Sequence, residues 1–258
     1  TIGEAMVEDY LDREGERVAM VLWPGVHYAS GQRFDLGRLA RAAHRAGAVA
    51  GFDLAHAVGN VPLTLHEDGV DFAVWCSYKY LNSGPGAVAG CFVHERHAGR
   101  GDLPRLHGWW GSDPGSRFLM SERFVPAPGA DAWQLSNPPI LAMAPVRESL
   151  ELFREAGMER LRHKSLALTG LLERLILEHL DEHLQVITPA EPERRGCQLS
   201  LRVRGGREAG RALFHHLNEA GAITDWREPD IIRAAPTPLY NRFADCWDFV
   251  QRLRAFFS

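Results

Sequence analysis

The sequence predicts an α/β fold, because short apolar runs alternate with helical segments or loops along its first half. Four runs, at residues 18–23, 48–52, 70–76 and 87–93, have the length of buried strands. They are apolar on both faces, which is typical of strands in a mostly parallel sheet that helices cover on both sides. A change of pattern after Pro189 adds a smaller α+β unit.

The first two strands are joined by a predicted helix. Asp35 is a good N-cap, apolar residues recur at helical spacing from Leu36 to Ala43, and Gly47 stands where the helix ends. Strand, helix and strand in this order indicate a parallel pair of strands.

The second half of the chain is organised differently. Residues 103–131 are rich in Gly, Pro and Trp without clear periodicity, and so long a loop is typical of a functional or interface segment. Residues 139–180 are mainly helical, with a break near Gly157. The smaller unit contains predicted strands at 197–203 and 222–226 and predicted helices at 208–220 and 243–257. We therefore divide the chain into residues 1–145, part of a large domain, and residues 146–258, a helical connection with a small C-terminal domain.

Bulk composition excludes several classes of function. The 258 residues are 45% hydrophobic and 24% charged, with a net charge of −4 and both signs interspersed, so no basic field suits a nucleic acid. The four cysteines form no C-x-x-C pair, and no apolar run approaches the roughly 18 residues of a membrane span. The histidine pairs 94/97 and 179/183 lack a third ligand or the right spacing, so no metal is predicted. We expect a cytoplasmic protein that binds neither nucleic acid nor membrane.

Two strand ends carry residues that suit chemistry. Asp53 ends the second predicted strand, and Lys79 follows the third, among aromatic residues. Ligands of open α/β sheets bind at the carboxyl ends of the strands. Partial burial favours the neutral, nucleophilic form of an amine. Taken singly, Asp53 reads equally well as a helix cap, and Lys79 reads better as a lysine whose amine reaches solvent past the aromatics.

The pair is more informative than either member. A pyridoxal cofactor needs a lysine that forms an imine with it and a carboxylate that keeps its pyridine nitrogen protonated. Adjacent strands would bring both residues to one edge of the sheet.

The blocks around this pair resemble kynureninase, a fold-type-I pyridoxal 5'-phosphate (PLP) enzyme related to the class V aminotransferases. The resemblance is carried by GFDLAHAVGNVPL at residues 51–63 and by the block at residues 70–98 that contains CSYKYLNSGPG. It continues through shorter matches at residues 108–111, 135–139, 195–199, 232–236 and 238–241.

The resemblance implies a role for each matching residue. Lys79 would be the Schiff-base lysine and Asp53 the partner of the pyridine nitrogen. His56 would lie beside the ring, and Tyr78 would bind the cofactor phosphate and assist proton transfer. Arg233 matches the arginine that holds the substrate's α-carboxylate, for which a guanidinium is well shaped.

The resemblance also implies pocket residues and a reaction. Trp109 and Asn137 match pocket residues that act across a dimer interface, and Ser136-Asn137 resembles the pair of animal-type enzymes that favour 3-hydroxykynurenine. The implied reaction is hydrolysis of the Cβ–Cγ bond of kynurenine or 3-hydroxykynurenine, which gives an anthranilate and alanine. It would serve tryptophan catabolism or NAD biosynthesis, in a cytoplasmic homodimer.

The sequence departs from the family in two places. Pro24 stands where animal-type members carry a serine, and the family's N-terminal F-P-[ST]-D loop, which cradles the cofactor, does not occur. The chain is thus expected to begin partway through the large domain. Two alternatives stay open: another fold-type-I enzyme, such as a cysteine desulfurase-like one, or a truncated chain that lacks half the cofactor site and is inactive.

Overall fold

The first part of the chain forms a four-stranded sheet in the order β1-β2-β3-β4 in the computed structural model, which describes residues 1–258. The strands are β1 (Met20–Pro24), β2 (Val49–Asp53), β3 (Phe72–Trp75) and β4 (Gly90–Val93). The first three run parallel, and β4 is antiparallel to β3. The predicted α/β class and mostly parallel sheet are therefore confirmed.

The chain has six α-helices, of which the first two lie on one side of this sheet. The six helices of the chain are α1 (Glu4–Glu14), α2 (Leu36–Arg45), α3 (Ile140–Ala156), α4 (Met158–Leu180), α5 (Gly206–Glu219) and α6 (Phe243–Phe257). Helix α2 begins as predicted, with the Asp35 carboxylate accepting a hydrogen bond of 2.8 Å from the Arg38 amide. Its Leu39 and Ala40 are buried against the sheet.

The sheet is covered on one face only by residues of this chain, whereas the apolar runs predicted cover on both. Val21, Ala50 and Ala73 point into the core beside α2 and are buried. The alternate residues on the other face include Leu22 of β1, 58% exposed, and Val74 of β3, 44% exposed. The difference arises because no helix of residues 1–258 packs there, although the side chains are those of a buried surface.

The second part of the chain forms an antiparallel sheet in the order β5-β6-β8-β7. Its strands are β5 (Leu184–Val186), β6 (Leu199–Val203), β7 (Asp225–Arg227) and β8 (Ile231–Ala234). Helices α4, α5 and α6 pack on this sheet, with Ile176, Leu217 and Val250 fully buried in the shared core. The smaller unit is α+β, as the sequence predicted, but two of its four strands, β5 and β8, were not predicted.

The two parts meet at a loop between β1 and α2. The carbonyl of Ala29 accepts from the Ser200 hydroxyl at 2.6 Å, and that of Ser30 accepts from the Thr188 hydroxyl at 2.7 Å. The Cys197 amide donates to the side-chain oxygen of Asn60 at 2.9 Å. These buried bonds fix the small sheet against the carboxyl edge of the large sheet. No helix has the length and hydropathy of a bilayer span.

Candidate active site

The carboxyl ends of β2 and β3 bring the predicted site residues to one edge. Asp53 is the last residue of β2 and lies opposite Val74 of β3 in the parallel register. Lys79 follows β3 by four residues. Since both strands run in the same direction, both side chains emerge at the edge where open α/β sheets bind ligands.

A tight turn after β2 directs His56 toward Lys79. The Asp53 carboxylate accepts from the Ala55 amide at 2.9 Å, which turns the chain within two residues. The His56 carbonyl accepts from the Asn60 amide group at 2.9 Å. As a result, Nε2 of His56 lies 3.2 Å from Nζ of Lys79.

The electrostatics of this cluster keep His56 neutral. Burial lowers the pKa of His56 to about 4, and the positive charges of Lys79 and Arg233 add to this effect. Where Nε2 accepts a hydrogen bond from the Lys79 amine, the single proton of the neutral ring lies on Nδ1. That Nδ1 is buried and has no hydrogen-bond partner. The cluster thus presents one unused N–H donor next to the lysine amine.

Lysine is rare in this chain. This rarity is a second sequence signal, besides the motif around it, that points to Lys79 as a functional residue. Of the 29 Lys and Arg residues only two, Lys79 and Lys164, are lysines. Lys164 donates to the Pro238 carbonyl at 2.6 Å, which occupies it structurally. Lys79 faces an imidazole instead, and no carboxylate forms a salt bridge with it.

Arg233 reaches the same cluster from the small sheet. It lies on β8, and its side chain is only 9% exposed. It donates to the Tyr28 carbonyl at 2.7 Å and to the carboxylate of Asp225. Its charge depresses the pKa of His56, so the guanidinium and the imidazole share one electrostatic environment.

Tyr78 lies beside Lys79 but points outward. Its side chain is exposed, and its ring centroid lies 6.0 Å from Nζ of Lys79. The neighbouring Cys76 thiol raises the pKa of the Tyr78 phenol, which therefore keeps its proton at neutral pH. Tyr78 is in a state to donate a hydrogen bond.

Trp109 and Asn137 lie in two segments that contact each other. Their segments are packed together, since Gly108 lies against Leu135 with no room for a side chain. Asn137 is exposed, and the Trp109 ring packs edge-on against Phe118 with centroids 5.4 Å apart. Neither residue hydrogen-bonds to Lys79, His56 or Arg233 within the chain. The structure thus brings Asp53, His56, Lys79 and Arg233 together. Trp109 and Asn137 lie in segments that contact each other, and neither makes a hydrogen bond to that cluster.

The chemistry of the donor set fits the expected cofactor. An open depression lies against Asp53, with Ala55, Val74 and Cys76 among its lining residues, whereas Lys79, His56 and Arg233 do not line it. A carboxylate, a lysine amine and an unpartnered buried imidazole N–H are the groups that a substituted, negatively charged pyridine would use.

Sequence reasoning missed Asp225, Tyr28 and the strand β8 itself. β8 spans only four residues, which is too short for its alternation to stand out from a loop. The Asp225–Arg233 pair forms across a hairpin, where Asp225 lies directly opposite Arg233. The predicted strand at residues 222–226 overlaps β7, but no sequence signal predicted its partner β8.

Comparison with known proteins agrees with the resemblance. The family model described as the kynureninase C-terminal domain matches residues 161–253. Kynureninases of Xanthomonas oryzae pv. oryzae (strain PXO99A) and Stenotrophomonas maltophilia (strain K279a) are each 62% identical over 255 residues. Each alignment covers 99% of this chain and 60% of the relative. The chain therefore spans about three fifths of the length of these relatives.

Solved structures show the same fold at low sequence identity. A structure of a C-DES mutant with glycine covalently linked to the PLP cofactor has a TM-score of 0.80 at 19% identity, covering 98% of this chain and 64% of that one. The apo cysteine desulfurase of Thermococcus onnurineus NA1 has a TM-score of 0.78 at 14% identity, covering 96% and 62%. The chain is thus related to the kynureninases along nearly its whole length, and it has the fold of the fold-type-I PLP enzymes.

Proposed function

We propose that this chain carries the lysine-bearing part of a PLP-dependent hydrolase that cleaves the Cβ–Cγ bond of kynurenine or 3-hydroxykynurenine. The products would be anthranilate or 3-hydroxyanthranilate, together with alanine. The observation that carries the proposal is the contact of 3.2 Å between Nζ of Lys79 and Nε2 of a neutral His56, at the strand edge that also bears Asp53. The 62% identity to kynureninases supports the choice of reaction.

The cofactor would be held by residues of the strand edge. Lys79 supplies the amine that binds it covalently, and the Asp53 carboxylate pairs with its pyridine nitrogen. The unused Nδ1–H of His56 is a donor beside the ring, and the protonated Tyr78 phenol is a donor for the phosphate. When bound, PLP withdraws electrons from the substrate α-carbon, so that its proton can leave and the Cβ–Cγ bond can break.

The protein's own groups would then move protons and hold the substrate. Once the substrate amine has taken its place on the cofactor, the freed Nζ of Lys79 would accept the proton from Cα. Lys79 and Tyr78 would then return two protons, the one taken from Cα and the one left by the water: one goes to Cβ, which becomes the methyl carbon of alanine, and one goes back to Cα. The hydroxyl of water goes to Cγ, which becomes the carboxyl carbon of the anthranilate. Arg233 grips the α-carboxylate and fixes the Cα–H bond toward Lys79.

Trp109 and Asn137 would shape the pocket for the aromatic part of the substrate. Because neither contacts the Lys79 cluster within one chain, we propose that they act across the interface of a homodimer. The Asn137 amide would reach the ring hydroxyl of 3-hydroxykynurenine, which favours that substrate. A cytoplasmic role in tryptophan catabolism or NAD biosynthesis follows from the same proposal.

Two alternatives differ in testable ways. A cysteine desulfurase-like activity shares the fold but requires a reactive cysteine, and two of the four cysteines, Cys197 and Cys246, are buried with pKa values raised by burial. The second alternative is a chain that binds no cofactor by itself. The exposed sheet face at Leu22 and Val74 supports this alternative. The residues of the cluster are present in either case, so the cofactor experiment separates them.

The first experiment adds PLP to the purified chain and records the visible absorbance of the bound cofactor. We expect a band that Lys79→Ala abolishes and that the matched control Lys164→Ala retains. Kynurenine and 3-hydroxykynurenine are then supplied, and release of the fluorescent anthranilate is followed. A band without any anthranilate release would favour another fold-type-I activity. A band that persists in Lys79→Ala would refute the assigned role of that lysine.

A further inference from the structure

Asp225 and Arg233 form a pair across the β7–β8 hairpin. Their Cα atoms are partners in the antiparallel register, so both side chains project from the same face of the small sheet. The Arg233 guanidinium donates to Oδ2 of Asp225, and it donates to the Tyr28 carbonyl at 2.7 Å. One strand partner and one loop carbonyl therefore hold this guanidinium from two sides.

The guanidinium keeps unused hydrogen-bonding capacity. Arginine has five N–H donors, and the contacts to Asp225 and Tyr28 use two of them. The side chain of Arg233 is about nine-tenths buried, and its Nε–H has no hydrogen-bond partner within the chain. A buried, unpaired N–H is costly, and the carboxylate of a bound amino acid could accept from this one.

Asp225 is the one carboxylate that forms a salt bridge with Arg233. The Arg233 charge lies in the same environment as Lys79 and Arg227, whose charges also depress the pKa of His56. Without Asp225, the guanidinium groups of Arg227 and Arg233, which both donate to its Oδ2, would lie close together with no carboxylate between them. Oδ2 of Asp225 also accepts from Arg227 at 2.9 Å, which steadies the carboxylate itself.

We propose that Asp225 is a positioning residue for substrate binding: it orients Arg233 so that the free N–H donors of its guanidinium face the α-carboxylate of an amino acid. This inference rests on the proposed function, because it assumes that an amino acid binds beside Lys79. It adds a residue that does not touch the substrate and acts through the arginine.

The test compares two probes that differ only in a carboxylate. The chain loaded with PLP is titrated with L-alanine and with ethylamine, and the change of cofactor absorbance gives each Kd. In Asp225→Asn, we expect L-alanine to bind about tenfold or more weakly, the size expected for losing one hydrogen bond to a charged group. Ethylamine has no carboxylate for Arg233, so its Kd should stay within about twofold of that of the unmodified chain.

Further variants keep the test decisive. Asp225→Glu retains the charge and should recover part of the L-alanine affinity, and it also serves if Asp225→Asn fails to fold. In an Arg233→Gln background, Asp225→Asn should cost no further affinity, because the two residues act through one contact. Unchanged L-alanine binding in Asp225→Asn, or equal weakening of both probes, would overturn the inference alone. Absence of the cofactor band in the unmodified chain would overturn the proposed function together with it.

Discussion

We predict that replacing Asp71 destabilises the packing of the strands that carry the site. Asp71 lies just before β3 and is buried, and its carboxylate accepts four hydrogen bonds of 2.8–2.9 Å. Oδ2 accepts from the Ala50 amide of β2 and from His44 of α2, and Oδ1 accepts from Arg96 and His97. This single side chain connects β2, β3, α2 and the turn after β4, at the opposite end of the strands from Asp53 and Lys79.

The cost of replacing it follows from these contacts. In Asp71→Asn, the amide oxygen can still serve one side, for example the Ala50 and His44 donors. Its NH2 group then faces Arg96 and His97. Arg96 is 38% exposed and can turn to water, whereas the His97 side chain is only 16% exposed. The buried His97 donor loses its charged acceptor completely, and the partly exposed Arg96 donor loses it in part. Together these losses should lower the free energy of unfolding by about 3 kcal/mol.

Urea unfolding followed by tryptophan fluorescence measures this loss. With a slope of about 2 kcal/mol per molar urea, Asp71→Asn should lower the midpoint by about 1.5 M at pH 7. The matched control is Glu151→Gln, which removes an exposed helix-surface pair with Arg154 and should change stability by less than about 0.5 kcal/mol. A midpoint for Asp71→Asn equal to that of the control would refute the assigned role of the cluster.

The same carboxylate makes the loss depend on pH. Burial alone would raise the pKa of Asp71, but the hydrogen bonds from Ala50, His44 and His97, with the Arg96 charge, hold it well below its usual range. A carboxyl whose pKa is lowered by folding contributes its full stability above the unfolded value of about 3.9. The contribution is lost as the pH falls below that value. The gap between the unmodified chain and Asp71→Asn should therefore be constant from pH 7 to about 5 and narrow in acid.

Three more measurements follow from the structure. An NMR titration should place the pKa of His56 at about 4, and Lys79→Met should raise it, because a positive charge is removed; a titration near 6.5 in the unmodified chain would contradict the burial of this ring. Iodoacetamide should label the exposed Cys91 slowly, because partial burial and the charge of Asp131 raise the pKa of its thiol, while the buried Cys197, whose pKa burial raises to about 12, stays unlabelled until the chain unfolds; equal labelling rates would contradict the packing. Leu22→Thr on the exposed sheet face should change the free energy of unfolding by less than about 0.5 kcal/mol, and a loss of 2 kcal/mol or more, typical of a core leucine, would show that this face is covered.

Much of the fold follows from local patterns in the sequence. The Asp35 cap and the helix after it, the break at Gly157 and the final helix from Phe243 are all where the sequence predicts them. These elements are specified by capping, glycine conformation and helical spacing, which act over a few residues. The short strands β5 and β8 and the first helix α1 were missed, because the side chains that define them pack against distant parts of the chain.

The site divides in the same way. Asp53 and Lys79 could be placed at one sheet edge from the sequence, since strand order alone determines that edge. The contact between Lys79 and His56 depends on the turn at Ala55, and the Asp225–Arg233 pair depends on the register of a hairpin. Neither is encoded by spacing. The roles of Trp109 and Asn137 rest on resemblance alone, because their segment contacts the rest of the site through no hydrogen bond.

The most direct test of the central claim is to find which residue PLP modifies. The chain is incubated with PLP, reduced with borohydride, digested and analysed by mass spectrometry. The peptide containing Lys79 should carry the pyridoxyl phosphate mass, and the peptide containing Lys164 should not. Modification of Lys164 to the same extent, or no modification of Lys79, would contradict the assignment of this strand edge as the cofactor site.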